Sequence, residues 1–285
     1  MAEFFPCDEI SQKYFYGVRT QIELLGRNPF VKLFLASEDK GSASYSKTLT
    51  MKFQEVGIDS QIVKVNSPAE LERGLLNLDK DEKITGGFVF YPINFPRIKD
   101  SYFMRIVPEF KDIEGLSANN VYRLAHYERN FPGTPCKSVV PCTAKAIVKV
   151  LLDSNVEIKG QDAVIINKSY SLGAPLRRML DNFGATVVAC DINTKKNSIE
   201  YYVKNADIVV TAVPAKVELF DDKSLKEGAS IIDCSFESNF DLEKVSRVAG
   251  FISSRQSGNY IGPVTTSMAA VNVLYLLMHR IYTEK

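Results

Sequence analysis

The chain has 285 residues, 45% hydrophobic and 24% charged, with 35 basic side chains against 34 acidic ones and a net charge of +1. That length accommodates two modest domains or one large α/β unit, and the composition is that of a soluble globular protein. A near-neutral chain without charge runs argues against a nucleic-acid partner, and no apolar run is long enough to span a bilayer, so no membrane is expected either.

The opening residues, MAEFFPCDEISQKYF, lack a basic segment followed by an apolar core and do not read as a secretory signal. The five cysteines, Cys7, Cys136, Cys142, Cys190 and Cys234, are scattered without a C-x-x-C spacing. Such a set reads as reduced thiols in a cytoplasmic protein, each most simply a small buried hydrophobe. Two histidines, His126 and His279, argue against a histidine-rich metal site or a Ser–His–Asp triad. Hydride transfer needs neither, because a cofactor carries the difficult step.

In chain order, residues 8–26 have a helical pattern ended by Gly26, and residues 30–35 are strand-like. Residues 38–42 read as a loop and 44–56 as a helix stopped at Gly57. A second strand covers 61–65. Ser67 caps a helix through Leu76, and a third strand at 87–91 is closed by Pro92. This β-α-β-α-β series predicts a small parallel-sheet domain. Residues 93–140 are less regular. Pro141, Cys142 and Thr143 open a helix over 144–152 that is expected to link this domain to a second one, starting near Gly160. Residues 207–211 and 230–233 are further strands. The last helix, 264–281, is apolar almost all round and predicts a buried helix that returns to the first domain.

The stretch from Ala163 to Asp191 organises the second domain. Residues 163–166 are a buried strand, 167–173 a turn, 172–183 a helix stopped by Gly184, and 185–190 a second strand ending at Asp191. This is the layout of a dinucleotide-binding βαβ unit, with phosphates over a helix N-terminus and an acidic residue for the ribose hydroxyls. The glycine fingerprint is absent. Asn167 replaces the first glycine, as the residue that best tolerates a left-handed backbone. Ser169 replaces the second, and Gly173 follows six residues after Asn167. An α/β unit without a ligand is the plainer alternative.

Six segments in order make the chain resemble the methylenetetrahydrofolate dehydrogenase/cyclohydrolase family, closest to its monofunctional NAD-dependent branch. They are Tyr45 with Gly57-Ile58, residues 111–116 (KDIEGL), 141–143 (PCT), Ser169 with 173–175 (GAP), 231–234 (IIDC) and 262–265 (GPVT). The resemblance covers most of the chain. It implies two parallel-sheet α/β domains, the second Rossmann-like, with a cleft between them. Residues 1–145 and 266–285 would form the folate-binding catalytic domain, and 146–265 the NAD-binding domain. The implied substrate is a tetrahydrofolate derivative, the cofactor NAD, and the assembly a homodimer.

The departures carry information. Bifunctional members have a Y-x-x-x-K motif; Tyr45 matches the tyrosine, but Leu49 stands at the lysine, and Lys47 and Lys52 fall on the wrong helical positions. Phe90 replaces a glutamine, and Glu114 replaces the aspartate that grips the pterin. The family's P-V-P-G-G-V loop becomes residues 254–261 (SRQSGNYI), and Ala144 replaces a proline. By the resemblance Tyr45 and Glu114 are catalytic, and Tyr45, Phe90, Glu114 and Pro263 border the substrate. Lys168, Ser169, Gly173, Asp191, Ile192, Val213, Pro214, Phe236 and Thr265 would hold the cofactor. The expected activity is NAD-dependent oxidation of 5,10-methylenetetrahydrofolate without cyclohydrolase. A bifunctional enzyme and an idle folate- or nucleotide-binding protein are the alternatives.

Overall fold

The computed structural model describes residues 1–36, 40–93 and 95–284, without the side chain of Lys40. The elements are β1 (Glu3–Phe4), α1 (Cys7–Leu25), β2 (Phe30–Leu35), α2 (Lys40–Glu55), β3 (Asp59–Lys64), α3 (Pro68–Leu76), β4 (Ile84–Phe90), α4 (Asp100–Ile106), α5 (Ala118–Ala125) and α6 (Cys142–Asp153). There follow β5 (Asp162–Ile166), α7 (Gly173–Asn182), β6 (Thr186–Cys190), α8 (Lys196–Asn205), β7 (Ile208–Thr211), β8 (Ser230–Asp233), α9 (Leu242–Val245), β9 (Phe251–Ser253) and α10 (Gly262–Thr283). The chain divides into two units: Met1–Ser11 with Thr143–Thr265, and Gln12–Cys142 with Thr266–Lys285. No described helix is long and apolar enough to cross a membrane.

The second of these units holds a three-stranded parallel sheet in the order β3-β2-β4. Every residue of β4 is buried, as expected of a parallel strand covered on both faces. Phe34, Leu71, Leu75, Leu78, Val89 and Phe103 pack together beside it. The start of α3 is written in its sequence. The Ser67 hydroxyl accepts from the Glu70 N–H, the Glu70 carboxylate accepts from the Asn66 N–H, and Pro68 takes the first turn. Helix α2 begins at Lys40, so the part of the expected 38–42 loop that is described is helical; residues 38 and 39 lie outside the described residues. The irregular 93–140 region contains α4 and α5, both too short to show a clear period.

The other unit holds a six-stranded sheet, order β1-β9-β8-β7-β5-β6, with every pair parallel. Its core includes Val164, Ile166, Val209, Ile231, Val245 and Ile252. The C-terminal ends of β5 to β9 therefore lie along one edge, where open α/β sheets bind ligands.

The N-terminal segment lies elsewhere than the expected 1–145 division puts it. Residues 1–11 belong with 143–265, because β1 pairs with β9, Glu3 opposite Phe251 and Phe4 opposite Ile252. A two-residue strand has no periodicity to read. Phe5, 0% exposed, stacks on Phe251 at 5.1 Å and locks the segment in place. Phe5→Ala is expected to cost about 3–5 kcal/mol, read as a lower urea midpoint with the early transition assigned to this unit.

Candidate active site

In the unit built on β4, the loop after the 3₁₀ turn Glu109–Lys111 runs beside that strand. Ile113 N–H donates to the Gly87 carbonyl, and the Glu114 carboxyl then accepts from the Val89 N–H at 3.3 Å, so a side chain continues the edge of the sheet. Asp112 shapes the loop by accepting from the N–H groups of Gly115 and Ser117 and from the Asn120 amide. Gly115 has φ +70°, and a Cβ there would lie 2.5 Å from the Val140 carbonyl carbon, so only glycine fits. From α10, Asn272 donates to the carbonyls of Ile113 and Val140. Burial raises the Glu114 carboxyl well above the usual carboxylate range; the Asp112 charge adds to this and the Val89 N–H opposes it.

Tyr45 on α2 meets Phe90 edge-on at 5.7 Å and Phe88 at 6.3 Å. Its hydroxyl is buried and makes no hydrogen bond of good geometry, although the Thr266 side chain lies close by. Burial raises its pKa, so it keeps its proton across the physiological range; Thr266 opposes the rise, and Cys142 and Glu114 add to it. A buried hydroxyl without a good hydrogen bond is costly. Leu49, one turn along α2, is 0% exposed, and Phe90 is 2% exposed. Lys47 is exposed, and Lys52 pairs with Glu55 at 2.8 Å.

In the Rossmann-like unit the 167–173 turn is tied by one side chain. Asn167 Oδ1 accepts from the N–H groups of Ser169 (2.8 Å) and Gly173 (3.1 Å) and from the Ser169 hydroxyl (2.6 Å), while its amide donates to the Ala212 carbonyl. The expectation of a left-handed backbone at Asn167 is overturned: the described non-glycine residues with positive φ are Arg97, Tyr127 and Asn155. Asn167 replaces a glycine by bonding, not by conformation. Gly173 is needed for contact, since a Cβ would lie 2.0 Å from the Asn167 carbonyl oxygen. The Gly173 and Ala174 N–H groups are taken within the turn, as are the Ser169 N–H and hydroxyl, while the Lys168 side chain is exposed.

Asp191 sits 3.5 Å from Lys168 Nζ. Its Oδ1 accepts from the Asn193 N–H and the Thr194 hydroxyl. Partial desolvation pushes this carboxyl up, but the Asn193 N–H, Lys168 and Thr194 together outweigh it and hold the group below its ordinary range. Ile192 is 99% exposed. Val213 is half-buried and Pro214 exposed; Asn239 pins their loop, accepting from the Val213 N–H and donating to the carbonyls of Val213 and Ala215. Asp233, at the end of β8, accepts from Thr211, Ser235, Ser238 and the Asn239 N–H. Phe236 lies exposed against Arg255. The Pro263 carbonyl accepts from the Ser11 hydroxyl, and the Thr265 hydroxyl donates to the carbonyl of Ile261, just before α10.

The polar groups at this sheet edge suit a dinucleotide: an accepting carboxylate after β6 and a cation and a hydroxyl after β5. Sequence profiles for the two domains of one family match this chain. The catalytic domain of tetrahydrofolate dehydrogenase/cyclohydrolase matches residues 6–114, and its NAD(P)-binding domain matches 141–284. The chain belongs to the tetrahydrofolate dehydrogenase/cyclohydrolase family. A bifunctional protein FolD from Caldanaerobacter subterraneus subsp. tengcongensis is 30% identical over 279 residues, 93% of each chain. The structure of a methylenetetrahydrofolate dehydrogenase from the silkworm Bombyx mori matches with TM-score 0.87 at 26% identity, covering 99% of this chain and 100% of that one. The NAD-dependent methylenetetrahydrofolate dehydrogenase from Saccharomyces cerevisiae shares the fold, with TM-score 0.90 at 23% identity over 100% and 99% of the two chains. The chain is thus a one-carbon oxidoreductase of this family with an NAD(P)-binding domain and a tetrahydrofolate derivative as substrate.

Sequence reasoning passed over Asp112, Asn239 and Asn272 as site residues. Asp112 and Asp233 lie inside the quoted KDIEGL and IIDC segments, a signal available but not used; Asn239 and Asn272 have no local signature. Asn167→Ala would unpair two N–H groups and a carbonyl. It is expected to cost about 2–4 kcal/mol, at roughly 1 kcal/mol per bond, and to weaken NAD(P) binding at least about tenfold. Denaturant titration and cofactor fluorescence measure the two effects.

Proposed function

We propose that the protein oxidises 5,10-methylenetetrahydrofolate to the 5,10-methenyl form with NAD⁺ and does not hydrolyse the product. The observation that carries this reading is the combination of Tyr45 and Glu114 with an apolar corner at Leu49 and Phe90. Residues 12–142 and 266–285 bind the folate, and residues 143–265 bind NAD.

The cofactor supplies a hydride acceptor. Glu114 grips the pterin edge by accepting its N–H groups, and the Tyr45 hydroxyl, which makes no hydrogen bond of good geometry within the protein, supplies a bond to the substrate. Loss of hydride from the bridging methylene leaves a cation shared by the two flanking nitrogens, so no protein base is needed. Lys168 and Ser169 meet the phosphates, Asp191 the ribose, and Val213, Pro214, Phe236 and Thr265 the remaining cofactor wall, with Pro263 bordering the substrate. Hydrolysis would need an activated water and proton transfers. Leu49 and Phe90 offer neither, and Lys52 is engaged by Glu55. A bifunctional enzyme is the rival reading, favoured by the FolD relative. The deciding assay supplies methenyltetrahydrofolate and follows its absorbance. Decay at the buffer rate is expected, and enzymatic acceleration refutes the proposal. Leu49→Lys alone should not restore full hydrolysis, because a polar site works as a set.

Cofactor choice rests on Asp191. A carboxylate accepts from the ribose hydroxyls of NAD and repels the 2′-phosphate of NADP. The neighbouring Lys168 reduces this repulsion without reversing it. NAD⁺ should be preferred by roughly 10² in kcat/KM. Asp191→Ser should gain NADP⁺ use. Equal use of both cofactors by the unaltered protein would remove Asp191 as the discriminator.

Glu114 also sets a pH dependence. With its pKa raised, Glu114 keeps its proton to a higher pH than an ordinary carboxyl, while pterin N–H donors favour the ionised form, so below the raised pKa folate binding expels a proton. Below the raised pKa, affinity should climb about tenfold per pH unit, then level off above it. Glu114→Gln should flatten this profile and lower the plateau affinity by about 10²-fold. Calorimetric titrations at several pH values would show both.

A further inference from the structure

The turn that carries Glu114 takes its shape from a chain of buried polar side chains, all within the unit of residues 12–142 and 266–285. Asp112 Oδ1 accepts from the Gly115 N–H at 2.9 Å and Oδ2 from the Ser117 N–H at 2.7 Å, so the backbone just after Glu114 is bonded to the side chain just before it. The Glu114 carboxyl accepts from the Val89 N–H at 3.3 Å, a long bond that aims a side chain weakly. Its direction is therefore set by the turn. Asp112 Oδ2 also accepts from Asn120 Nδ2 at 2.9 Å, and the same amide nitrogen donates to the Glu109 carbonyl at 3.1 Å. Asn120 Oδ1 accepts from Arg123 Nη1 at 3.0 Å, and Arg123 Nη2 pairs with the Glu109 carboxylate. Asp112, Asn120 and Arg123 are 2%, 0% and 5% exposed. The guanidinium carbon lies 5.9 Å from the Phe110 ring centre and 5.4 Å from that of Phe131, and His279 of α10 stacks on Phe110 at 4.4 Å.

Burying an ion pair is costly, and well-packed apolar side chains in its place often serve stability as well or better. Orientation gives the buried cation a use. An amide turned end for end at Asn120 would put its oxygen against the Asp112 carboxylate and the Glu109 carbonyl, an encounter of acceptors only. A donor at Asn120 Oδ1 excludes that arrangement, and Arg123 supplies it from a planar fork whose other arm is anchored on Glu109. With the amide fixed, its N–H holds Asp112, and Asp112 holds the backbone on which Glu114 stands. We propose that Arg123 is a positioning residue for the folate: through Asn120 and Asp112 it fixes the turn that aims the Glu114 carboxyl at the pterin. Arg123 acts on these side chains and not on the ligand. The assignment rests on the reading above in which Glu114 receives the pterin.

The test is a double-substitution cycle read by equilibrium binding of 5-formyltetrahydrofolate and of NAD⁺ to the full chain. The variants are Arg123→Met, Glu114→Ala, the two combined, Asn120→Leu and Arg123→Lys, with folding checked by circular dichroism and thermal midpoint. Arg123→Met should weaken the folate about tenfold, as fits the misplacement of one charge-assisted acceptor, and Asn120→Leu by a similar factor. NAD⁺ affinity should hold in both. With Glu114→Ala already in place, Arg123→Met should cost less than about twofold, because no carboxyl is left to aim. Arg123→Lys keeps a charge opposite Glu109 without the planar fork. It should give a smaller loss of the same pattern, and it carries the test if Arg123→Met does not fold. A loss that is equal with and without the Glu114 carboxyl overturns the proposal and makes Arg123 a general support of the fold. So does a folate affinity that no change at Arg123 alters, or a parallel loss for NAD⁺. If Glu114→Ala leaves folate affinity unchanged, the pterin reading and this proposal fall together. Coupling between Arg123 and Glu114 in a protein that forms no NADH from methylenetetrahydrofolate would leave this proposal standing and refute the proposed reaction.

Discussion

Backbone N–H and C=O groups beyond the ends of parallel strands have no ladder partner, and where they are buried something other than water must bond them. In this protein three asparagines do so. Asn167 ties the turn after β5 to the strand-end loop after β7. Asn239 holds the same β7 loop from its other side. Asn272 joins the carbonyls of Ile113 and Val140. An asparagine side chain has both a donor and an acceptor, so it can stand in for a missing peptide partner. The backbone around the nucleotide edge and around Glu114 takes its shape from these amides.

The two site carboxylates show how surroundings set chemistry. Asp191 is partly exposed and meets an N–H, a hydroxyl and a lysine, all of which favour its charge. Glu114 is enclosed, has one N–H donor and faces Asp112. One is therefore held as an anion; the other keeps its proton to a higher pH than an ordinary carboxyl. Around Tyr45 the Phe88 and Phe90 rings make a largely apolar setting for a hydroxyl that forms no hydrogen bond of good geometry, with Thr266, Cys142 and Glu114 nearby. A redox step whose cation is stabilised by the substrate's own nitrogens tolerates so apolar a setting. A hydrolytic step does not.

Much of this could be read along the chain. The β-α-β-α-β series, the 163–191 unit and the last buried helix come from apolar runs, a cap at Ser67 and stops at Gly57 and Gly184, all local signals. The ordered motif set pointed to the family and to Tyr45, Glu114, Ser169 and Asp191. Asn167 is the instructive error. Its identity suggested a left-handed backbone, yet its side chain does the work by accepting two N–H groups from six residues of turn. Strand β1 has no local signal, and the expected 1–145 division puts the first eleven residues in the wrong unit, since their partner is β9, nearly 250 residues away.

The sequence by itself determined the alternation of strands and helices, the family, and the residue types at the site, because each is set by patterns within about twenty positions or by motifs in order. Only the tertiary structure decided the strand order, the raised pKa of Glu114, the burial of the Tyr45 hydroxyl and the rings beside Arg255. Those depend on which distant groups share a desolvated space, and neither burial nor the electrostatics that follow from it is a property of neighbours in sequence.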